Sequence, residues 1–291
     1  MTGRAGSVTR RVVACLVLSA ALGCSNAVPL PPRALELNRL GAAALGAGDL
    51  ETAEVRLALA LEYSPKFTEA WVNLGLVELR AGNIKAARKD LTHARSLNED
   101  LPAPHHALGL LEEEQGRMEQ AEKHYRAALR VDPGFAASRV NLARMLFAQG
   151  RVDESREQFE RLTEVAPDAI DGWVGLVEAF LRLGRESDAD HVTGRARARF
   201  GDRPELVLLV ARQLLRRGAF AEVAPLLAPL TALDGPRAAT AWAWIAVARL
   251  GAGDRQSARD AALEALGRSP RDPVATYVLA ASGGDAPRLA D

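Results

Sequence analysis

Residues 70–97, AWVNLGLVELRAGNIKAARKDLTHARSL, carry the pattern that decides the fold. Gly82 divides this stretch into two segments, and glycine tolerates the positive φ at which many helices end. The stretch therefore predicts two helices joined by a tight turn. The turn glycine returns every 34 residues along the chain, and once after 35. The series is Gly48, Gly82, Gly116, Gly150, Gly184, Gly218 and Gly253.

Other residue types follow the same period. Leucine stands eight residues before the turn glycine at positions 40, 74, 108, 142 and 176. Alanine stands five residues after it at positions 53, 87, 121 and 189. We expect small residues at such positions where the two helices of a unit cross, since a larger side chain would push them apart. Because one unit cannot bury its apolar face alone, the period predicts a stack of helix pairs.

These residues resemble the tetratricopeptide repeat, whose pattern is Trp-x₂-Leu-Gly-x₂-Tyr, then Ala-x₃-Phe, then Pro. Trp71, Leu74, Gly75 and Ala87 match it in residues 70–97, and Tyr125 matches it in the next copy. The resemblance covers most of the chain. It implies an all-α superhelical solenoid of about seven helix-turn-helix repeats of 34 residues, with a short closing helix and a concave binding groove.

The repeat period also predicts the boundaries of the units. We expect a solenoid over residues 34–281 and a flexible C-terminal tail over 282–291. The units are 34–67, 68–101, 102–135, 136–169, 170–203, 204–238 and 239–272, with the closing helix at 273–281. The sixth unit has Pro225 and Pro229 within its second helix, where proline removes a backbone hydrogen bond. We expect either a kink with a joint at this unit or a shortened, shifted helix.

The N-terminal residues 1–23 have the anatomy of a secretory signal. Three arginines precede an apolar run over residues 12–22, which is too short to span a bilayer. Residues 20–24, AALGC, resemble a bacterial lipobox, and this resemblance implies that Cys24 is lipidated and begins the mature chain. Residues 24–33 then form a proline-rich tether.

Ser25 lacks the acidic side chain that commonly retains lipoproteins in the inner membrane, so we expect an outer-membrane protein facing the periplasm. The alternative is an ordinary cleaved signal and a soluble periplasmic protein.

The rest of the sequence gives no sign of catalytic chemistry. The 37 basic and 37 acidic residues balance, so no basic surface indicates nucleic acid. Metal, phosphate-loop and nucleophile-elbow motifs are absent from the sequence. His105 and His106 are adjacent and would point apart on a helix. We therefore expect a non-enzymatic protein without a cofactor, metal or small-molecule substrate.

Function in this architecture is expected in the concave groove. The resemblance implies that the groove is lined by the second, fifth, ninth, twelfth and thirteenth positions of each first helix. Those offsets select Asn38, Leu45, Val72, Leu76, Leu79, Arg80, His106, Leu110, Arg144, Phe147, Leu181 and Arg212, and Glu113 and Arg216 stand at such offsets as well. The lysine and asparagine of carboxylate-clamp relatives are absent from the fifth and ninth positions. The lining instead suits a protein partner, an amphipathic helix or extended segment with some acidic residues.

The combination of a lipoprotein signal and these repeats resembles type IV pilus pilotins, outer-membrane lipoproteins that help a secretin ring assemble. That resemblance implies a scaffold attached to the membrane by its lipid. An adaptor that docks peptidoglycan hydrolases or synthases would have the same architecture. A soluble periplasmic subunit of an enzyme complex is the further alternative, if the signal is cleaved before Cys24.

Overall fold

The structure, a computed structural model, describes residues 29–283, and all of its regular elements are helices. Cys24, the predicted signal over 1–23 and residues 284–291 of the predicted tail lie outside the described residues. The helices are α1 (Pro32–Ala47), α2 (Leu50–Tyr63), α3 (Thr68–Arg80), α4 (Ile84–Leu97), α5 (Pro102–Glu114), α6 (Met118–Val131), α7 (Ala136–Ala148), α8 (Val152–Val165), α9 (Ile170–Arg182), α10 (Glu186–Phe200), α11 (Pro204–Arg216), α12 (Phe220–Thr231), α13 (Pro236–Gly251), α14 (Arg255–Arg268) and α15 (Pro273–Ala281).

These helices form seven antiparallel pairs followed by the single helix α15. Each odd-numbered helix packs against the even-numbered helix that follows it, and each pair packs against the next. The predicted solenoid of seven helix pairs with a closing helix is therefore confirmed. Within residues 29–283 no helix is both long enough and apolar enough to cross a membrane.

The turn glycines end the first helices as their spacing predicts. Gly82 has a φ of +80° at the end of α3. There the Asn83 amide donates to the Glu78 carbonyl at 2.8 Å, and the Gly82 amide donates to the Leu79 carbonyl at 3.1 Å. Together these bonds satisfy carbonyls that the helix end would leave unpaired. All seven glycines of the periodic series have positive φ values, so the same turn recurs in every pair.

A second glycine brings the two helices of a pair into close contact. In the third pair, a Cβ built on Gly109 of α5 would lie 2.5 Å from Cε1 of Tyr125 in α6. Gly75 lies in the same way against Leu91, and Gly41 lies against Leu57. Tyr125 and Leu91 are both fully buried. The small residue on the first helix thus makes room for the large residue on the second, as the sequence pattern predicts.

The sixth pair contains a shortened helix. α12 has 12 residues with Pro225 and Pro229 inside it, whereas the other second helices have 14 or 15. Two clusters of the core meet at α11, where Leu206 packs with the units before it and Val207 packs with the units after it. Of the two expectations for this unit, the shortened helix agrees with the structure.

Candidate partner-binding groove

The odd-numbered helices form the inner layer of the solenoid. α3 contacts both α1 and α5, α9 contacts both α7 and α11, and α13 contacts both α11 and α15. The second helices of neighbouring pairs meet through long side chains, as where Arg126 of α6 bonds to Glu154 of α8 at 3.1 Å. Helices that lie closer together belong to the inside of a curved stack. The concave face is therefore built from the first helices, which is where the sequence offsets place the groove.

The N-terminal half of this face contains a depression of about 620 Å³. Side chains from α1, α3, α5 and α7 line it, so it spans four successive units. Its lining consists of Leu45, Leu76, Leu79, Arg80, Leu110, Glu113, Glu114 and Asn141. We call this depression the leucine concavity. The five residues Leu45, Leu76, Leu79, Arg80 and Leu110 were all selected by the sequence offsets, and the structure brings them together.

The floor of the leucine concavity keeps part of its apolar surface in contact with solvent. Leu76, Leu79 and Leu110 are only partly buried, although each also packs against core residues. Leu45 is 7% exposed and closes the floor at the α1 side. Covering such leucines with a partner removes apolar area from water, at about 25 cal/mol per Å². The concavity therefore has the character of a protein-binding surface.

The rim of the leucine concavity is polar and held in place by internal hydrogen bonds. The buried Tyr125 hydroxyl donates to Oε2 of Glu113 at 2.5 Å. Burial, and next the Glu113 carboxylate, raise the pKa of Tyr125 well above its usual value, so this hydroxyl keeps its proton. The Arg80 guanidinium donates to the main-chain carbonyl of Leu45. The lining thus contains one carboxylate and one cation that are each held by a hydrogen bond within the chain.

Three further predicted groove residues lie near the concavity without lining it. The Asn73 amide donates to Oδ1 of Asn38 at 2.9 Å, a bond that joins α3 to α1. Val72 is only 6% exposed and belongs to the core between the second and third pairs. His106 has its Nδ1 3.0 Å from the Ser138 hydroxyl, and burial lowers its pKa to about 4. These residues join neighbouring helices and offer little surface to a partner.

The predicted groove residues from Arg144 onward are engaged within the chain. Arg144 forms an ion pair with Asp171 at 2.8 Å, and Arg212 forms one with Glu178 at 3.0 Å. Leu181 is 4% exposed and packs in the core, and Phe147 is partly buried. The sequence offsets had suggested arginines free to receive an acidic partner. In the structure their charges are already matched by carboxylates from neighbouring helices.

Two lining residues of the concavity were not identified from the sequence. Glu114 is the last residue of α5, and Asn141 lies on α7 one position after the expected groove offset. The fifth position of α7, Val140, packs with the core around α9 instead. A small rotation of one helix against its neighbour moves such a residue into or out of the lining. The sequence signal available for Glu114 was the run of three glutamates at 112–114, of which only Glu113 stands at a groove offset.

Within residues 29–283, no three His, Cys, Asp or Glu side chains are grouped closely enough to hold a metal ion. The ring centroids of His105 and His124 lie 6.4 Å apart between α5 and α6. Burial is the main cause that lowers the pKa of both histidines.

Models of the tetratricopeptide repeat match two parts of the chain, residues 38–95 and 113–173. The first match covers most of the first two helix pairs, and the second runs from the end of α5 to the start of α9. These two parts of the chain therefore carry tetratricopeptide repeats, and the resemblance found in the sequence is confirmed. No curated protein sequence matches the chain.

Solved structures with a similar fold include other proteins of the same repeat class. A tetratricopeptide repeat protein of Parabacteroides merdae aligns with 17% identity and a TM-score of 0.60, over 87% of this chain and all of its own. PilF of Pseudomonas aeruginosa aligns with 19% identity and a TM-score of 0.59, over 73% of this chain and 96% of its own. At these identities the likeness concerns the fold alone. Tetratricopeptide solenoids are in general scaffolds that bind other proteins, and that is the function this fold implies.

Proposed function

We propose that this protein is a non-enzymatic, membrane-anchored scaffold of the bacterial periplasm that binds a helix or extended segment of a partner protein in the leucine concavity. The observation that carries the proposal is the concavity itself. Four units of the solenoid contribute to one depression of about 620 Å³ whose floor is leucine. The inner helices that line it are the elements on which solenoids of this kind present their binding surfaces.

The position of the binding site follows from a contrast between the two halves of the inner layer. Outside the concavity, Arg144 near the end of α7 and Arg212 of α11 are paired with acidic side chains of α9. In the N-terminal half, the leucines keep surface exposed and the polar groups stand at the rim. The leucine concavity offers a partner apolar burial, so we place the site on α1, α3, α5 and α7.

Attachment to the membrane rests on the sequence of the N-terminus. The basic segment, the apolar run over 12–22 and the lipobox-like residues 20–24 support a lipid on Cys24. Acyl chains contribute about 0.8 kcal/mol per buried methylene, and more than one chain is needed for lasting attachment. The test is fractionation of cells that produce the natural protein or the Cys24→Ser variant. Release of the variant into the soluble periplasm supports the anchor, and its retention in the membrane argues against it.

We further propose that the bound partner belongs to an envelope assembly such as a type IV pilus secretin. The support is the resemblance of the lipoprotein signal and repeats to pilotin lipoproteins. A peptidoglycan hydrolase or synthase, or an enzyme complex of the soluble periplasm, would use the same concavity.

Site-specific photo-crosslinking in living cells tests both the site and the partner. The crosslinking residue replaces Leu110 in the concavity, and the control replaces Lys89, which is exposed on α4. Captured proteins are identified by mass. Capture of a secretin subunit from position 110 alone supports the proposal in full, whereas a cell-wall enzyme there supports the adaptor role. Equal capture from both positions, or none from position 110, overturns the concavity as the binding site.

A further inference from the structure

The chemistry of the rim restricts which segment the leucine concavity can hold. Of its charged lining residues, two are carboxylates, Glu113 and Glu114, and one is a cation, Arg80. Among residues 29–283 none of these three side chains forms an ion pair. The rim therefore has an excess of negative charge, and this charge is not neutralised within the described chain.

The carboxylate of Glu113 is held in an orientation that favours binding of a cation. Its Oε2 accepts the hydroxyl of the fully buried Tyr125 at 2.5 Å, and that tyrosine ring is fixed against Gly109. Oε1 is left as the acceptor for another donor. A carboxylate already held in one orientation loses less conformational entropy when it binds than a free side chain does. The guanidinium of Arg80, by contrast, already donates a hydrogen bond to the Leu45 carbonyl.

The alternative, an acidic segment, is disfavoured by the same inner layer. Three of its arginines outside the concavity are matched by neighbours, with Arg144 on Asp171, Arg212 on Glu178 and Arg216 on Glu186 at 2.8, 3.0 and 3.6 Å. At these three positions a partner carboxylate would have to displace the carboxylate already paired. A partner cation meets Glu113 and Glu114 without breaking an ion pair.

We propose that the segment bound in the leucine concavity is a basic amphipathic helix. Its apolar side chains cover Leu76, Leu79 and Leu110, and a lysine or arginine one helical turn away binds Glu113 and Glu114. Side chains three or four residues apart lie on the same face of a helix, so one helix face can make both contacts. This inference rests on the proposed function, since it describes the occupant of that same site.

Two synthetic peptides of identical length test the inference. Both are acetylated, amidated and labelled with fluorescein, and both carry leucines spaced i, i+4 and i+7. One has lysine at the flanking positions of that face, and the other has glutamate there. Binding to the mature chain is measured by fluorescence anisotropy. We expect the lysine peptide to bind at least tenfold more tightly at low salt, with the difference shrinking as salt rises.

Variants of the protein locate the cause of the preference. Glu113→Gln keeps the shape and removes the charge, and we expect it to reduce the lysine preference at least threefold. Tyr125→Phe removes only the hydroxyl that orients Glu113, and we expect a smaller loss of the same preference. Glu54→Gln, at an exposed position of α2, is the matched control and leaves the preference unchanged. Circular dichroism verifies that each variant is folded.

The outcomes separate this inference from the proposed function. Equal binding of both peptides, or tighter binding of the glutamate peptide, overturns the basic helix. If Leu79→Asp removes that binding, the concavity remains a protein-binding site although its charge preference is wrong. Failure of both peptides to bind also overturns the inference, and crosslinking from position 110 then decides the proposed function independently.

Discussion

Gly109 of α5 lies so close to Tyr125 of α6 that a Cβ on the glycine would stand 2.5 Å from Cε1 of the tyrosine ring. Gly75 and Gly41 have the same relationship to Leu91 and Leu57 in the two preceding pairs. The contact sets the distance between the helices of a unit. Because Tyr125 also holds Glu113, it connects the packing of the third pair to the rim of the concavity.

We expect Gly109→Ala to destabilise the protein, although alanine is a better helix former than glycine. The new methyl group must displace a buried ring, and overpacking of this kind costs about 1 to 3 kcal/mol. Chemical denaturation measures the change in the free energy of unfolding. Gly194→Ala is the matched control, since Gly194 lies within α10 with open space around it. That control should gain about 0.5 to 1 kcal/mol, and equal effects at the two sites would contradict the packing argument.

Glu112 provides a test of the contact between the second and third pairs. This carboxylate is buried and accepts hydrogen bonds from Arg88 of α4 and from Arg117. Burial alone would raise the pKa of Glu112, but the two arginines outweigh it and hold the pKa below its usual value. We expect Glu112→Gln to cost about 1 to 3 kcal/mol at neutral pH. Urea unfolding checks this, with Glu54→Gln as the control at an exposed glutamate.

The sign of the pH effect follows from the lowered pKa of Glu112. The unfolded chain binds the proton more readily than the folded chain does, so the stabilisation is present above the unfolded pKa of about 4.3 and is lost as the pH falls below it. The Gln variant lacks this group. Its stability should therefore fall less steeply than that of the natural protein below about pH 4.5, and parallel curves would contradict the arrangement.

His106 should make stability depend on pH in a higher range. Burial lowers its folded pKa to about 4, whereas an unfolded histidine titrates near 6.5. Between these values the unfolded state binds more protons, so stability increases with pH through this window, by up to about 1.4 kcal/mol per pH unit from this group. Denaturation curves for His106→Gln at pH 5 and pH 7 should show a smaller difference than those of the natural protein. A substitution of the exposed His191 is the control.

The fold could be predicted because its determinants are local and repeated. The turn at Gly82 and the contact of Gly75 with Leu91 each lie within one unit, so the sequence period exposes them directly. The groove depends on contacts between units, and here the prediction was less complete. Val72 and Leu181 stand at groove offsets but are buried. The sequence of a single repeat does not show how far adjacent inner helices cover each other, so this burial could not be predicted from the offsets.

The charge of the groove was the feature that sequence reasoning described least well. Arg144 and Asp171 are 27 residues apart and belong to different units, yet they pair at 2.8 Å. The bond from Tyr125 to Glu113 likewise joins two helices whose relative rotation decides whether the groups meet. Offsets within one helix show which residues face inward. They do not show which of those residues already have partners.

The two prolines of α12 lead to a last prediction. Pro225 stands at the sixth residue of the helix, where an amide would donate to the Ala221 carbonyl, and it is exposed. We expect Pro225→Ala to stabilise the protein by about 1 to 3 kcal/mol, because a helix hydrogen bond is gained and a steric conflict is removed. Pro204→Ala is the control: Pro204 occupies the first position of α11, where no intrahelical bond is available. That change should be neutral or slightly destabilising, since it increases the freedom of the unfolded chain. Thermal unfolding of the two variants tests this, and a loss of stability in Pro225→Ala would mean that the short helix requires its proline.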